Sequence, residues 1–322
     1  MRSFEFVTPA KLKLTAAALK SKESSTLKTY VYHFFKWKNY AFDKGLGILP
    51  AKKEDFSEFI IDMTGVLSFP TIKNCSAAVQ FFHKVFGFST FSLDSCESLI
   101  KDYVQKFSRK PCKVRDPFLL IHLAKIVDLY DFEKCSLYDL RSLGVIIVAF
   151  FGFLRYSDLS VLRVQDVIFS NVKVELIIRR SKTDKSRLGQ KVIFDSESFP
   201  AKYLQTYFRR FRFSSFDPSC FVFMTVHVKS DKVVFYRSRK LLYNSASRIF
   251  SEAISKAEIE DGNFSFHSLR IGGASEASRL GVSDFRISAT GRWRSDKSRL
   301  LYQRDPSLGN DSVFMVLSHE FT

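Results

Sequence analysis

The 322-residue sequence predicts a mainly α-helical protein with a small β-sheet, divided into two domains. Three observations carry that expectation. Apolar residues recur at helical spacing from about residue 25 to 107, with no strand signal among them. The basic stretch Ser108-Arg-Lys-Pro-Cys-Lys-Val-Arg115 then interrupts the periodicity and contains a proline. Beyond it helical patterns resume, broken by two β-like runs, Val172–Ile178 and Gln190–Phe194. The length suits one domain of about 100 residues and another of about 200.

Residues 1–23 are short-patterned and polar and read as a flexible arm. The first domain, 24–108, opens with Leu27, Tyr30, Val31, Phe34, Phe35, Trp37 and Phe42 near a 3.6-residue period. Ser25 or Thr26 is placed to cap that helix and Lys44-Gly45 to end it. Tyr30, Phe34 and Trp37 read as core rather than as stacking residues. A second helix fits 53–63, a third runs from an N-cap at Thr71 through 72–86, and a fourth covers 95–107. Residues 109–115 are the linker. In the second domain, 116–322, Asp116-Pro117 has the acid-then-proline form of a helix start. Helices follow to Leu154 and over 157–162, then the two strands joined by 183–189, then helices over 200–212, 238–257, 266–280 and 296–304.

The longest apolar run, Val145-Ile-Ile-Val-Ala-Phe-Phe-Gly-Phe-Leu154, is too short for a membrane span and is closed by Arg155. With no apolar stretch at the N-terminus, a soluble intracellular chain is expected. Five scattered cysteines, with no Cys-x-x-Cys pair, argue against a disulfide framework or a thiolate metal site. The six histidines form no metal-ligand spacing, so neither metal nor cofactor is expected. The formal charge is +17, from 50 basic and 33 acidic residues, which favours a polyanionic partner through counterion release. Two clusters concentrate it. Lys101, Lys106, Arg109, Lys110, Lys113 and Arg115 form the first; Arg179, Arg180, Lys182, Lys185, Arg187 and Lys191 form the second. Each reads either as a solvated face or as a nucleic-acid surface.

Six residues stand out as a potential site. Ser265 can cap a helix on which His267 and Arg270 lie one turn apart, a spacing also found on any solvated helix. Trp293 sits in the turn-like Gly291-Arg-Trp-Arg-Ser295, where tryptophan is ordinarily a packing residue. Tyr302 follows Leu300-Leu301 on a short helix capped by Ser295, and a tyrosine beside leucines also normally packs. Arg155 ends the most apolar helix, so its charge must reach solvent or a polar partner. Asp158, three residues on, is a suitable carboxylate, and a plain ion pair is the competing account. Lys182 lies where the first strand enters its hairpin, with Lys185 and Lys191 as rivals for the same role.

Taken together, these segments resemble the tyrosine recombinases, or phage integrases, over about residues 24–305. Gly152-Phe-Leu-Arg-Tyr-Ser-Asp-Leu-Ser-Val-Leu-Arg-Val-Gln-Asp-Val167 resembles the family's first arginine box, and His267-Ser-Leu-Arg270 its His-x-x-Arg box. Gly291-Arg-Trp293, with Trp293 nine residues before Tyr302, is similar to the box that holds a His or Trp and the nucleophile. Gly-Arg-Trp-Arg-Ser followed by Leu-Leu-Tyr-Gln-Arg looks most like the recombinases of eukaryotic Crypton-type or DIRS-type mobile elements.

The resemblance implies a helical core-binding domain followed by a mixed α/β catalytic domain, closing on double-stranded DNA as a clamp. It assigns Arg155 and Arg270 to the phosphate, Lys182 to general acid, His267 to acid–base partner, Trp293 to phosphate donor, Tyr302 to nucleophile and Asp158 to their support. It further implies a homo-tetramer on two sites, and a nuclear location if the host is eukaryotic, otherwise a cytoplasmic, DNA-associated one. The tail from Gln303, with Val313, Phe314, Met315 and Leu317, is expected to dock on a neighbouring subunit. Two rivals stand beside this reading: a domesticated, non-catalytic DNA-binding protein, and a type IB topoisomerase-like enzyme, against which His267 argues.

Overall fold

The computed structural model describes residues 9–89, 98–109, 114–179, 189–229, 232–260 and 262–303. Two compact units make up the chain, Met1–Lys113 and Val114–Thr322.

The first unit is helical throughout its described residues: α1 (Pro9–Lys20), α2 (Ser24–Asp43), α3 (Lys53–Met63), α4 (Phe69–Phe86) and α5 (Ser98–Phe107). Its core gathers Trp37, Phe56, Phe59, Ile60, Ile72, Cys75, Val79 and Val104, whereas Val31, Phe35 and Phe42, which share the helical period of the first helix, are exposed. The Trp37 indole N–H, buried with its ring, donates to the Ile48 carbonyl at 2.9 Å. Tyr30 and Phe34 are half-buried and pack on Phe81 and Phe82. The arm expected over 1–23 is corrected in part: 9–20 are a helix that rests on α4, where Thr15 Oγ1 donates to the Val85 carbonyl at 3.4 Å. Two caps also differ. No side chain caps α2. Helix α4 starts after Ser68 rather than Thr71, because Pro70 is suited to its first turn.

The second unit comprises α6 (Leu120–Val127), α7 (Leu137–Phe151), α8 (Tyr156–Leu159), β1 (Val167–Phe169), β2 (Lys173–Ile178), β3 (Gln190–Asp195), α9 (Phe199–Phe211), β4 (Met224–Lys229), β5 (Lys232–Lys240), α10 (Tyr243–Lys256), α11 (Phe266–Arg279), α12 (Asp284–Gly291) and α13 (Asp296–Leu300). Strands β1, β2 and β3 form an antiparallel sheet in that order, and β4 and β5 a separate antiparallel ribbon. The fold is therefore mainly helical with small sheets, as the sequence predicts. Among the described residues no helix is long and apolar enough to cross a membrane.

Several boundaries are corrected. Asp116-Pro117 does not open a helix; α6 begins at Leu120, and the Asp116 carboxylate instead accepts the Asn263 N–H at 2.6 Å. The helix expected over 238–257 starts only at Tyr243. Before it, Val233-Val-Phe-Tyr236 is β-branched and aromatic and forms the heart of β5. The three-residue β1 is too short for an alternating pattern to announce it.

Helix α7 organises this unit. Leu140, Leu143 and every residue from Val145 to Phe150 are buried, and α9, α10 and α11 pack around it. Gly272-Gly273 lets α11 come close to its neighbours. A Cβ at Gly272 would stand 1.7 Å from the Phe118 carbonyl oxygen, and one at Gly273 would stand 2.2 Å from that of Phe150. Both obstacles are backbone, so neither can swing aside. Gly273→Ala should therefore lower the free energy of unfolding by about 1–3 kcal/mol or more. Urea denaturation should show a lower midpoint with an unchanged slope.

Candidate active site

Helix α7 ends at Phe151, and the chain turns through Gly152, Phe153 (φ +45°) and Leu154 before Arg155 starts α8. The last carbonyls of a helix lack intrahelical partners and carry the negative end of its dipole. Here Val148, Ala149 and Phe150 accept from the N–H groups of Gly152, Leu154 and Phe153, and two guanidiniums meet the carbonyls of the turn itself. Arg270, from α11, donates through Nη1 to the Phe153 carbonyl and through Nη2 to that of Gly291 at 2.7 Å. Arg292 donates to the carbonyls of Gly152 at 3.3 Å and Phe153 at 3.2 Å, and to Thr290 at 2.7 Å. Its Nη2 also reaches the Asp158 carboxylate at 3.0 Å.

Arg292 was not among the sequence-predicted residues, and it corrects the reading of Asp158. The carboxylate hydrogen-bonds to Arg292, whereas Arg155 Nη1 stands 3.9 Å from it, an ion pair without a hydrogen bond. Arg155 is half-buried, and its Nη1 has no hydrogen-bond partner among the described residues. One signal could have pointed to Arg292: a cationic residue between the glycine and tryptophan of a tight turn. It adopts a left-handed conformation, φ +59°, closing α12. The preceding glycine is needed as well, because a Cβ at Gly291 would fall 1.9 Å from the Trp293 ring.

The remaining residues close over Arg270. Its guanidinium carbon lies 4.5 Å from the Trp293 ring centre and 4.9 Å from that of Tyr302. Trp293 and Tyr302 are 5.0 Å apart ring to ring, and His267 is 5.4 Å from Tyr302. His267 itself is exposed and Tyr302 half-buried. The Trp293 ring is 8% exposed, yet its Nε1 has no acceptor among the described residues. That is unusual for a buried indole. Tyr302 is fixed through its backbone: its N–H donates to the Arg299 carbonyl at 2.8 Å, and the Tyr302 carbonyl accepts from Ser275 Oγ at 3.0 Å. Arg299 is in turn buried among Asp284, Asp296 and Gln303.

Five of the six predicted residues thus converge, with Asp158 beneath them. Lys182 lies outside the described residues, as do Arg180, Lys185, Arg187, Lys110, Lys113 and the tail from 304 onward. Lys191, the third candidate for the acid, donates to Glu175 at 2.9 Å. Arg179 is ion-paired with the buried Asp166, and Arg115 donates to Asn263 and to the Phe264 carbonyl. Those contacts give Arg179 and Arg115 structural employment besides any partner. Lys106 and Arg109 are exposed, and Lys101 lies on α5.

Electrostatically the cluster sets three guanidiniums, Arg155, Arg270 and Arg292, against one carboxylate. Burial, then Arg155 and Arg292, push the Arg270 pKa down to about 9. Burial likewise lowers that of Arg292, with Asp158 opposing. Guanidinium groups hold their proton in proteins, so an anion rather than proton loss relieves this pressure. Arg292→Ala should leave Asp158 largely unpaired and cost about 3–5 kcal/mol of stability, read by denaturant unfolding.

Residues 121–306, more than half of the chain, match the model of the Phage integrase family. Over 301 residues the chain is 23% identical to the Integrase/recombinase xerD homolog of Selenomonas ruminantium, spanning 91% of this chain and 85% of that one. In fold it is similar to the XerH site-specific recombinase bound to a palindromic difH substrate, with a TM-score of 0.61, 14% identity and coverage of 94% and 87%. It is also similar to the Tn1549 transposon integrase in complex with circular intermediate DNA (TM-score 0.55, 14% identity, 95% and 98% covered). A lambda integrase dimer bound to a core site gives a TM-score of 0.53 at 15% identity, with 94% and 97% covered. The chain belongs to the phage integrase family, whose members are the tyrosine recombinases.

Proposed function

We propose that this protein cleaves and rejoins double-stranded DNA as a site-specific recombinase, through a 3′-phosphotyrosyl intermediate formed on Tyr302. One observation carries the reading: the Arg270 guanidinium and an indole N–H without an acceptor among the described residues stand against Tyr302, and a single carboxylate offsets Arg270 and its two cationic neighbours, Arg155 and Arg292. Such a site lacks an anion that can take several donors at once, and a phosphodiester supplies it.

A phenol with a pKa near 10 is a weak nucleophile at neutral pH, so its proton must leave as attack proceeds. The Tyr302 oxygen attacks phosphorus, the bond to the 5′-oxygen breaks, and that oxygen takes a proton. Arg155 and Arg270 hold the nonbridging oxygens and offset the charge gained in the pentacoordinate state. Trp293 Nε1 adds a neutral donor and His267 takes part in proton transfer. Lys182 protonates the leaving oxygen, a contribution of about 10²–10⁴-fold. Arg292 does not touch the phosphate; it holds Asp158 and the end of α7 in place beneath the two clamp arginines. Running the steps backward with another strand's 5′-hydroxyl rejoins the DNA.

Pairwise exchange between two sites favours a homo-tetramer on DNA. The Gly-Arg-Trp-Arg-Ser phrasing favours a mobile-element recombinase of Crypton or DIRS type, acting in the nucleus if the host is a eukaryote. The basic residues Lys101, Lys106, Arg109, Lys110, Lys113, Arg115, Arg179, Arg180, Lys185 and Arg187 are assigned to the DNA backbone.

A duplex nicked beside the cleavage point should trap the enzyme covalently, and Tyr302→Phe should bind that duplex equally well without forming an adduct. A wild-type chain that binds but never forms one sinks the enzymatic reading and leaves a DNA-binding protein. Trp293→Phe keeps an aromatic ring over Arg270 but removes the donor, and should slow adduct formation by about 10²–10³-fold. Trp293→His should restore part of it. The general acid is identified by substituting Lys182, Lys185 and Lys191 singly. Only the true acid's variant should recover on a 5′-bridging phosphorothiolate, whose leaving group needs no proton.

A further inference from the structure

The β4–β5 ribbon plays no part in the site just described, and its chemistry is unusual. Its strands, Met-Thr-Val-His-Val-Lys and Lys-Val-Val-Phe-Tyr-Arg-Ser-Arg-Lys, carry five Lys and Arg residues and no carboxylate, against one acid, Asp231, in the connecting pair of residues. Lys232, Arg237, Arg239 and Lys240 are exposed and have no acidic partner among the described residues. Elsewhere in this unit the exposed cations often find one: Lys173 and Lys191 share Glu175, and Arg209 meets Glu133. Two arginines of the ribbon also stand over rings. Arg237 lies 3.7 Å from the Phe216 ring centre and Arg239 lies 5.0 Å from that of Tyr236.

The ribbon is anchored at its root, and the described residues of its outer half are exposed. Arg141, buried on α7, donates through Nε to the Met224 carbonyl at 2.7 Å where β4 starts. Just after β5, the buried Leu241 accepts from the Tyr156 hydroxyl at 2.8 Å, and its N–H donates to the Phe223 carbonyl at 2.9 Å. Tyr156 is the residue next to Arg155, so the ribbon springs from the wall that carries the clamp. Beyond Phe235, which packs on Phe211, His227, Val228, Lys232, Val233 and Val234 are all exposed. An isolated two-stranded ribbon is marginally stable, and an uncovered edge invites aggregation unless charge or a partner manages it.

We propose that the β4–β5 ribbon is a second DNA-contact arm, gripping phosphates of the duplex away from the cleaved one. A two-stranded ribbon fits the major groove of B-DNA, where Val228 and Val233, paired across the tip, meet base edges while the cations reach the backbone. The inference rests on the reading of the site as one that acts on DNA. It adds where the duplex runs.

The test uses the full chain with Lys232→Gln, Arg239→Gln and Lys240→Gln combined, none of which touches the clamp. Each lost phosphate contact should lower the slope of log affinity against log salt by about one, so the triple variant should lose about two to three. Binding at 200 mM salt should weaken about ten-fold or more, while melting temperature and adduct yield on the nicked duplex at low salt stay at wild-type values. Unchanged slope and affinity overturn the arm. So does a variant whose defect appears as lost self-association without DNA in sedimentation, which would make the ribbon a protein interface. If wild type forms adducts and only the slope prediction fails, the recombinase reading stands; if wild type binds no DNA, both fall.

Discussion

The end of α7 is the constraint on which the site depends. A helix whose residues from Val145 to Phe150 are all buried cannot hydrate its end: Val148, Ala149 and Phe150 accept from the N–H groups of Gly152, Leu154 and Phe153, and the carbonyls of Gly152 and Phe153 in the turn that follows must find donors elsewhere inside the protein. The donors are guanidiniums from two other segments, Arg270 on α11 and Arg292 after α12. Satisfying the turn after the helix therefore fixes two cations side by side. Asp158, just past the same turn, keeps the arrangement from being wholly repulsive, but one carboxylate cannot neutralise three guanidiniums. A structural need at a helix terminus becomes an anion site with charge to spare.

That view explains why α11 must sit so close. Gly272 and Gly273 let its backbone approach the Phe118 and Phe150 carbonyls, and the buried Arg270 then reaches the turn beyond α7 directly. Gly291 plays the matching role on the other side by making room for the Trp293 ring, which covers Arg270. Three glycines and two arginines thus form one packing problem with one solution. The aromatic lid of Trp293 and Tyr302 follows from it.

Much of this was legible in the sequence. Helical periodicity located most of the helices, and Lys53–Met63 falls where the spacing of Phe56, Phe59, Ile60 and Met63 puts it. Arg155, His267, Arg270, Trp293 and Tyr302 were chosen from residue type and spacing, and they do assemble. What was not legible was long-range. Nothing local to Arg292 reveals that its partner, Asp158, lies 134 residues away. The acid three residues after Arg155 suggested a local pair, and helical spacing made it plausible; the chain instead gave the carboxylate to a residue brought in by the fold. The helix expected from 238 takes in only the last three residues of β5, whose middle is β-branched and aromatic. Arg299 illustrates the same limit. Among Asp296, Lys297 and Arg299 only the fold decides that the last is buried and holds the tyrosine's segment.

The distribution of positive charge now has a physical division. Some cations are spoken for: Lys191 by Glu175, Arg299 by its two aspartates. These contribute little net field. Others, in the clamp and along β5, are held by carbonyls, rings and backbone anchors that orient a guanidinium without neutralising it. Carbonyl dipoles and ring quadrupoles can fix an arginine's direction at small electrostatic cost while leaving its charge available. A partner that offers phosphates at regular spacing would meet preorganised donors in both places and lose little entropy in arranging them. The net charge of +17 states how much attraction is available, but which cations are left unpaired decides where it acts.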